Sequence, residues 1–132
     1  MRILLDTHAL LWWLGDDDRL GGQARELIRD RGNEIIVSVA SLWEIVVKVR
    51  VGKLTADVKD IADAVEQEDF ELLPVGIAHL LTLGGLSIFH RDPFDHLLIA
   101  QAITEGATFM SEDRNVSRYP LRYLTCTDSS PS

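Results

Sequence analysis

Residues 1–14 read MRILLDTHALLWWL. Ile3, Leu4 and Leu5 make one apolar run, and Leu10, Leu11, Trp12, Trp13 and Leu14 make a second. Asp6, Thr7 and His8 stand between them. A continuous apolar run over Arg2 to Leu5 reads as a strand buried on both faces, the pattern of a parallel sheet covered by helices on each side. In such sheets ligands bind beyond the carboxyl ends of the strands. Asp6 falls at that place, and its interruption of a buried stretch needs a reason.

The rest of the chain repeats the alternation. Helical spacing begins near Ala9, and Leu20, Ala24, Leu27 and Ile28 continue it up to Gly32. Ile35 to Val37 is a second β-branched run, ending in Ser38 and followed by a helix over Val39 to Val51 that Gly52 closes. Val58, Ile61, Ala62 and Val65 mark a further amphipathic helix with Asp57 as its N-cap. A third strand spans Phe70 to Val75, and a short helix spans Ile77 to Leu83. Asp92-Pro93 opens a strong helix that runs to about Glu105 and stops at Gly106. Ala107 to Ser111 is a fourth strand, and Arg122 to Leu124 a short fifth. Strands alternating with helices predict an α/β fold, a three-layer α/β/α sandwich around a parallel sheet of four or five strands. Neither a repeat nor a linker divides residues 1–124, which are expected to form one domain. Residues 125–132 are small and polar and are expected to form a flexible tail.

Composition narrows the class. The 132 residues are 46% hydrophobic and 26% charged, as in an ordinary globular domain. No apolar run approaches the ~20 residues that span a bilayer, and no secretory leader is visible, so a cytoplasmic protein with no membrane association is expected. The single Cys126 can form neither an internal disulfide nor a zinc pair. Thirteen basic against 21 acidic residues give a net charge of −8, which counts against a nonspecific nucleic-acid coat. It does not count against an enzyme that needs carboxylates for a metal.

Four acids fall where a site would form. Asp6 follows the first strand, and Asp113 lies two residues beyond the fourth. Glu44 lies in the helix after the second strand, and Asp95 in the first turn of the helix before the fourth. Spacing brings three of these elements to one edge of the sheet and leaves the direction of the Asp95 helix open. Carboxylates gathered together either raise one another's pKa or recruit a cation. Oxygen-only ligands suit Mg²⁺ or Mn²⁺. A cation so held activates water and steadies charge developing on a phosphate, the chemistry of phosphodiester hydrolysis.

With these residues in place, the chain resembles the PIN-domain ribonucleases, and within them the VapC toxins of toxin–antitoxin pairs. The stretches that carry the resemblance are LLDTHALLWWL at 4–14, SVASLWEIVVKVRVGKL at 38–54, HRDPFDHLLIAQA at 90–102 and FMSEDRNV at 109–116. The resemblance implies a PIN-like fold and a metal-dependent endoribonuclease. It implies acid roles for Asp6, Glu44, Asp95 and Asp113 as metal ligands and catalytic residues, with support from Ser111 and Thr7. It also implies RNA as substrate, a VapB-type antitoxin and a homodimer. Where many relatives carry Arg after the helix acid, this chain has His96.

Each acid also has a plainer reading. Asp6 fits a helix N-cap, and Ser41-Leu-Trp-Glu44 fits a capping box unless Ser38 caps that helix instead. Asp92 is the natural cap of the last long helix, which leaves Asp95 free. Asp113 sits in a charged turn, SEDRN. The four histidines show no H-E-x-x-H spacing and read as surface or packing residues. Trp12 and Trp13 are adjacent, so one of them is expected at a contact surface. Two other functions remain open on sequence alone. A non-catalytic PIN-like binding module would keep the fold without cleavage. An aspartate-based phosphohydrolase would need a second Asp where His8 stands.

Overall fold

The structure is a computed structural model and describes residues 1–128. Five strands form one sheet: β1 (Arg2–Leu5), β2 (Glu34–Ser38), β3 (Glu71–Leu73), β4 (Thr108–Ser111) and β5 (Tyr123–Thr125). Six helices join them: α1 (Thr7–Leu14), α2 (Gly22–Arg29), α3 (Val39–Arg50), α4 (Val58–Gln67), α5 (Ile77–Gly84) and α6 (Pro93–Glu105). A 3₁₀ turn over Arg114–Arg118 precedes β5. The strand order is β3-β2-β1-β4-β5, and every pairing is parallel. The predicted three-layer architecture is present.

Register explains the core. Leu4 pairs with Ile36 and with Phe109, while Ile3 pairs with Ile35 and Leu5 with Met110. Successive strand residues face opposite sides, so these pairs sort into two layers. Ile3, Leu5, Ile35, Val37 and Met110 pack under α1, α2, α3 and α4, through Leu10, Trp12, Ile28, Ile45 and Val65 among others. Leu4, Ile36 and Phe109 pack under α6 on the other face, through Leu97, Leu98 and Ile99. β1 is at the centre and needs apolar residues on both sides.

Helix ends follow local chemistry. Asp57 caps α4 by accepting from the Lys59 N–H, and Asp92 caps α6 by accepting from Phe94 and Asp95 N–H groups, with Pro93 in the first turn. Gly106 ends α6 in the left-handed conformation at φ 64°, where an L side chain would be strained. The last helix runs down to the amino edge of the sheet, because Arg2 Nη1 donates to the Glu105 carbonyl at 2.9 Å. Its first turn, with Asp95, is therefore at the carboxyl edge.

The chain departs from the sequence reading at its end. Thr125 closes β5, Cys126 is fully buried, and the Cys126 carbonyl accepts from the Gly21 N–H at 2.7 Å. Asp128 caps α2 by accepting from the Gly22 and Gln23 N–H groups at 3.1 and 3.0 Å. A tail beginning at Thr125 is thus corrected through Asp128; residues 129–132 lie outside the described residues. Of the adjacent tryptophans, one turns inward and the other stays partly exposed. Trp12 is buried, and Trp13 is half-buried with the Arg29 guanidinium 5.8 Å from its ring. The exposed tryptophan is Trp43, packed edge-on against Phe94 at 4.8 Å.

Candidate active site

Asp6 leaves β1 at the centre of the carboxyl edge, where its N–H donates to the Met110 carbonyl of β4 at 2.9 Å. The strand order reverses between β1 and β4, so this is a switch point where a crevice opens. One Asp6 carboxylate oxygen, Oδ1, accepts from the Ala9 N–H at 2.7 Å. The cap reading of Asp6 is therefore real. The side chain is buried, and that burial pushes its pKa up to about 6, against the pull of the Ala9 N–H and the neighbouring Ser111 hydroxyl.

Ser38, not Ser41, caps α3: its hydroxyl accepts from the Ala40 N–H at 3.0 Å. Glu44 thus sits one turn inside α3 and is free to turn toward the crevice. Its Oε1 accepts from the Thr7 hydroxyl at 2.7 Å, and its Oε2 meets Lys48 Nζ at 2.5 Å. The Ser41 hydroxyl lies 3.1 Å from the Thr7 hydroxyl oxygen, which is free to accept from it. Lys48 is four residues on, the helical spacing that aligns an acid with a base. The Glu44 contact raises the Lys48 pKa, with Asp92 and Asp95 adding to it. Lys48 is thus held at the site.

Asp95 faces the other acids from the first turn of α6. Its pKa is pushed up to about 8, first by burial and then by Asp92, Asp6, Glu44 and Asp113. Asp95 thus feels the charge of each of the other three predicted acids. Asp113 caps the 3₁₀ turn through Oδ1, which accepts from the Asn115 N–H at 2.9 Å. Its own N–H donates to the Ser111 hydroxyl at 3.1 Å.

The tightest group includes a residue that sequence spacing passed over. His90 Nε2 is 3.6 Å from Asp95 Oδ2 and 3.6 Å from Asp113 Oδ2. Among the described residues, these three side chains offer donor atoms within 4.8 Å of one another. Asp6 and Glu44 stand outside that group, across the crevice. No local motif reveals the trio, because His90 comes from the loop before α6, Asp95 from the helix and Asp113 from the loop after β4. A buried nitrogen, His90 Nε2, thus faces the acids beside the expected oxygen donors. The donor set fits a divalent cation, since several carboxylates and an unpartnered His90 Nε2 converge.

The other histidines lie apart from this role. His79 bridges Glu105 and Gln101 at the α5–α6 contact, and His8 is half exposed beside Glu112. His96 packs edge-on against His90 at 4.7 Å, with its Nε2 buried. A cleft of about 580 Å³ lined by Trp13, Arg29, Arg31 and Phe70 takes in none of the acids.

Comparisons with known proteins place the chain by family and fold. Residues 3–121 match the family described as PIN domain. Ribonuclease VapC22 of Mycobacterium tuberculosis (strain ATCC 25618 / H37Rv) is 25% identical over 117 residues, covering 86% of this chain and 88% of that protein. The crystal structure of VapBC2 from Rickettsia felis, bound to a DNA fragment from its promoter, superposes with a TM-score of 0.73 at 19% identity. That match covers 95% of this chain and 98% of the other. DNA-bound VapBC from Salmonella typhimurium superposes with a TM-score of 0.68 at 14% identity, covering 95% of this chain and 98% of the other.

Proposed function

The chain belongs to the PIN domain family, and from that premise we propose that it is a metal-dependent endoribonuclease, the toxin of a toxin–antitoxin pair. The observation that carries the reading is the buried Asp95 at the carboxyl edge, its carboxyl pushed up to about 8 by burial and by the charge of Asp92, Asp6, Glu44 and Asp113. Asp6, Glu44, Asp95 and Asp113 would hold Mg²⁺ or Mn²⁺. A divalent cation bound there supplies a Lewis acid that activates water and stabilises charge on the scissile phosphate.

The protein's own groups prepare the site. Thr7 and Lys48 fix the Glu44 carboxylate by two hydrogen bonds, which restricts its rotamers before any ligand arrives. Ser111 lies between Asp6 and Asp113, favouring the charged form of the first and accepting the N–H of the second. Asp95, its carboxyl pushed up to about 8, would have to give up its proton to serve as a ligand of a cation. Lys48 adds positive charge at the rim, where phosphates approach an otherwise acidic surface.

The relatives named above support an antitoxin partner, and the exposed apolar face of α5 (Ile77, Leu80, Leu81) supports a homodimer. No helix among the described residues is long and apolar enough to cross a membrane. An aspartate-based phosphohydrolase has less support, because His8 turns to solvent where the second acid would stand. The test is cleavage of a structured RNA by the purified chain with Mg²⁺, Mn²⁺ or EDTA. Cleavage that requires the ion and vanishes in Asp6→Asn and Asp95→Asn is expected; full activity of both folded variants would defeat the proposal.

A further inference from the structure

His90 is nine-tenths buried, yet among the described residues half of its imidazole has no partner. Its Nδ1 lies 2.9 Å from the Tyr119 hydroxyl. Its Nε2 is buried and makes no hydrogen bond. The two nearest acceptors, Asp95 Oδ2 and Asp113 Oδ2, are each 3.6 Å away, beyond the range of an N–H···O bond. Native structures seldom leave a buried polar nitrogen in that condition unless something binds it. Metal bonds of about 2.1 Å place neighbouring donor atoms roughly 3–3.4 Å apart, so a small contraction of this trio would close it round one ion.

We propose that His90 Nε2 is a nitrogen ligand of the cation held by Asp95 and Asp113, and that the site on this account favours Mn²⁺ over Mg²⁺. The inference rests on the metal-dependent reading above and deepens it. Imidazole suits transition metals, whereas Mg²⁺ takes oxygen almost exclusively. The opposite side of the ring is organised for the same end. A proton on His90 Nδ1 would be accepted by the Tyr119 oxygen 2.9 Å away, which also accepts from the Phe89 N–H at 3.1 Å. That tautomer leaves the lone pair of Nε2 aimed between the carboxylates. Edge-on packing of His96 and Tyr119 against the ring, at 4.7 and 5.6 Å, holds its orientation.

Pulsed electron paramagnetic resonance on the whole chain, stripped with EDTA and loaded with less than one equivalent of Mn²⁺, tests the assignment without RNA. A directly coordinated ¹⁴N coupling is expected in the wild type and in His96→Gln. It should vanish in His90→Gln while Mn²⁺ stays bound. Calorimetry should show Mn²⁺ bound at least roughly tenfold more tightly than Mg²⁺, with that ratio falling about tenfold in His90→Gln. Bound Mn²⁺ without nitrogen coupling overturns the histidine assignment and leaves the nuclease reading standing, whether or not any variant folds. A coupling that survives His90→Gln, or is lost in His96→Gln, also overturns it. Failure of the wild type to bind Mn²⁺ overturns both readings.

Discussion

Asp95 carries the sharpest conflict between stability and function. In the unfolded chain its pKa is near 3.8, and in the fold it is about 8. Between those values the folded apoprotein holds a proton that the unfolded chain has released. The stability of the apoprotein therefore falls as pH rises from about 4 to about 8, and levels off above. Asp95→Asn removes the carboxyl and its repulsion. It is expected to stabilise the apoprotein by about 1–3 kcal/mol at pH 8, measured by denaturant unfolding, while cutting RNA cleavage by more than roughly 100-fold. The same proton competes with the cation. Divalent-ion affinity should rise about tenfold per pH unit from pH 6 to pH 8 as Asp95 gives up its proton, and more steeply below pH 6, where Asp6 also titrates. Calorimetry across that range checks both slopes; a flat profile would remove Asp95 from the ligand set. Asp6, Asp95 and Asp113 stood out in the sequence because each follows a strand or opens a helix, and Glu44 because it lies in the helix after β2. His90 was not, because its importance lies in what faces it, and nothing adjacent in the chain records that.

At the scale of elements, caps and stops were the readable features. Asp57, Asp92, Gly106 and the Ser38 cap of α3 depend on residues within one turn, so local pattern suffices to find them. The cap of α2 is different. Gly21 has no side chain to offer, and its place is taken by Asp128, more than 100 residues later. A Cβ on Gly21 would stand 2.6 Å from the Asp128 backbone nitrogen, so the close approach demands glycine. Asp128→Ala is expected to lose about 1 kcal/mol of stability and Gly21→Ala more, both read from thermal melts. Gln101 shows the same dependence on distant chain. Fully buried in α6, it accepts from the Ser38 hydroxyl at 2.5 Å and donates to the Pro74 carbonyl at 3.3 Å. Gln101→Leu strands the Ser38 hydroxyl in the core and should cost about 1–3 kcal/mol, with a matching drop in denaturation midpoint.

Seen whole, the molecule separates its edges. Arg2 gathers Glu34, Glu71 and Glu105 at the amino edge, where acid is neutralised by a fixed guanidinium. At the carboxyl edge the acids have Lys48 and His90 and otherwise face one another. Two apolar surfaces remain. Trp43 and Phe94 lie beside the acid crevice, and Ile77, Leu80 and Leu81 line the outer face of α5. A monomer rarely exposes such a stripe without a partner. If α5 is the contact between copies, Leu81→Asp lowers the mass seen in light scattering from dimer to monomer, leaving the melting of the core unchanged in form. An unchanged mass would move the contact elsewhere.

Strand and helix identities, their order, the parallel sheet and the acid at the end of β1 followed from the chain's own pattern. They depend on near neighbours: hydrophobic period, β-branched runs, caps and stops. The downward course of α6, the grip of Thr7 and Lys48 on Glu44, the cap of α2 by Asp128 and the approach of His90 to Asp95 and Asp113 required the folded molecule. Each joins side chains from segments far apart, and a one-dimensional pattern carries no record of which distant groups packing will bring within a few ångströms.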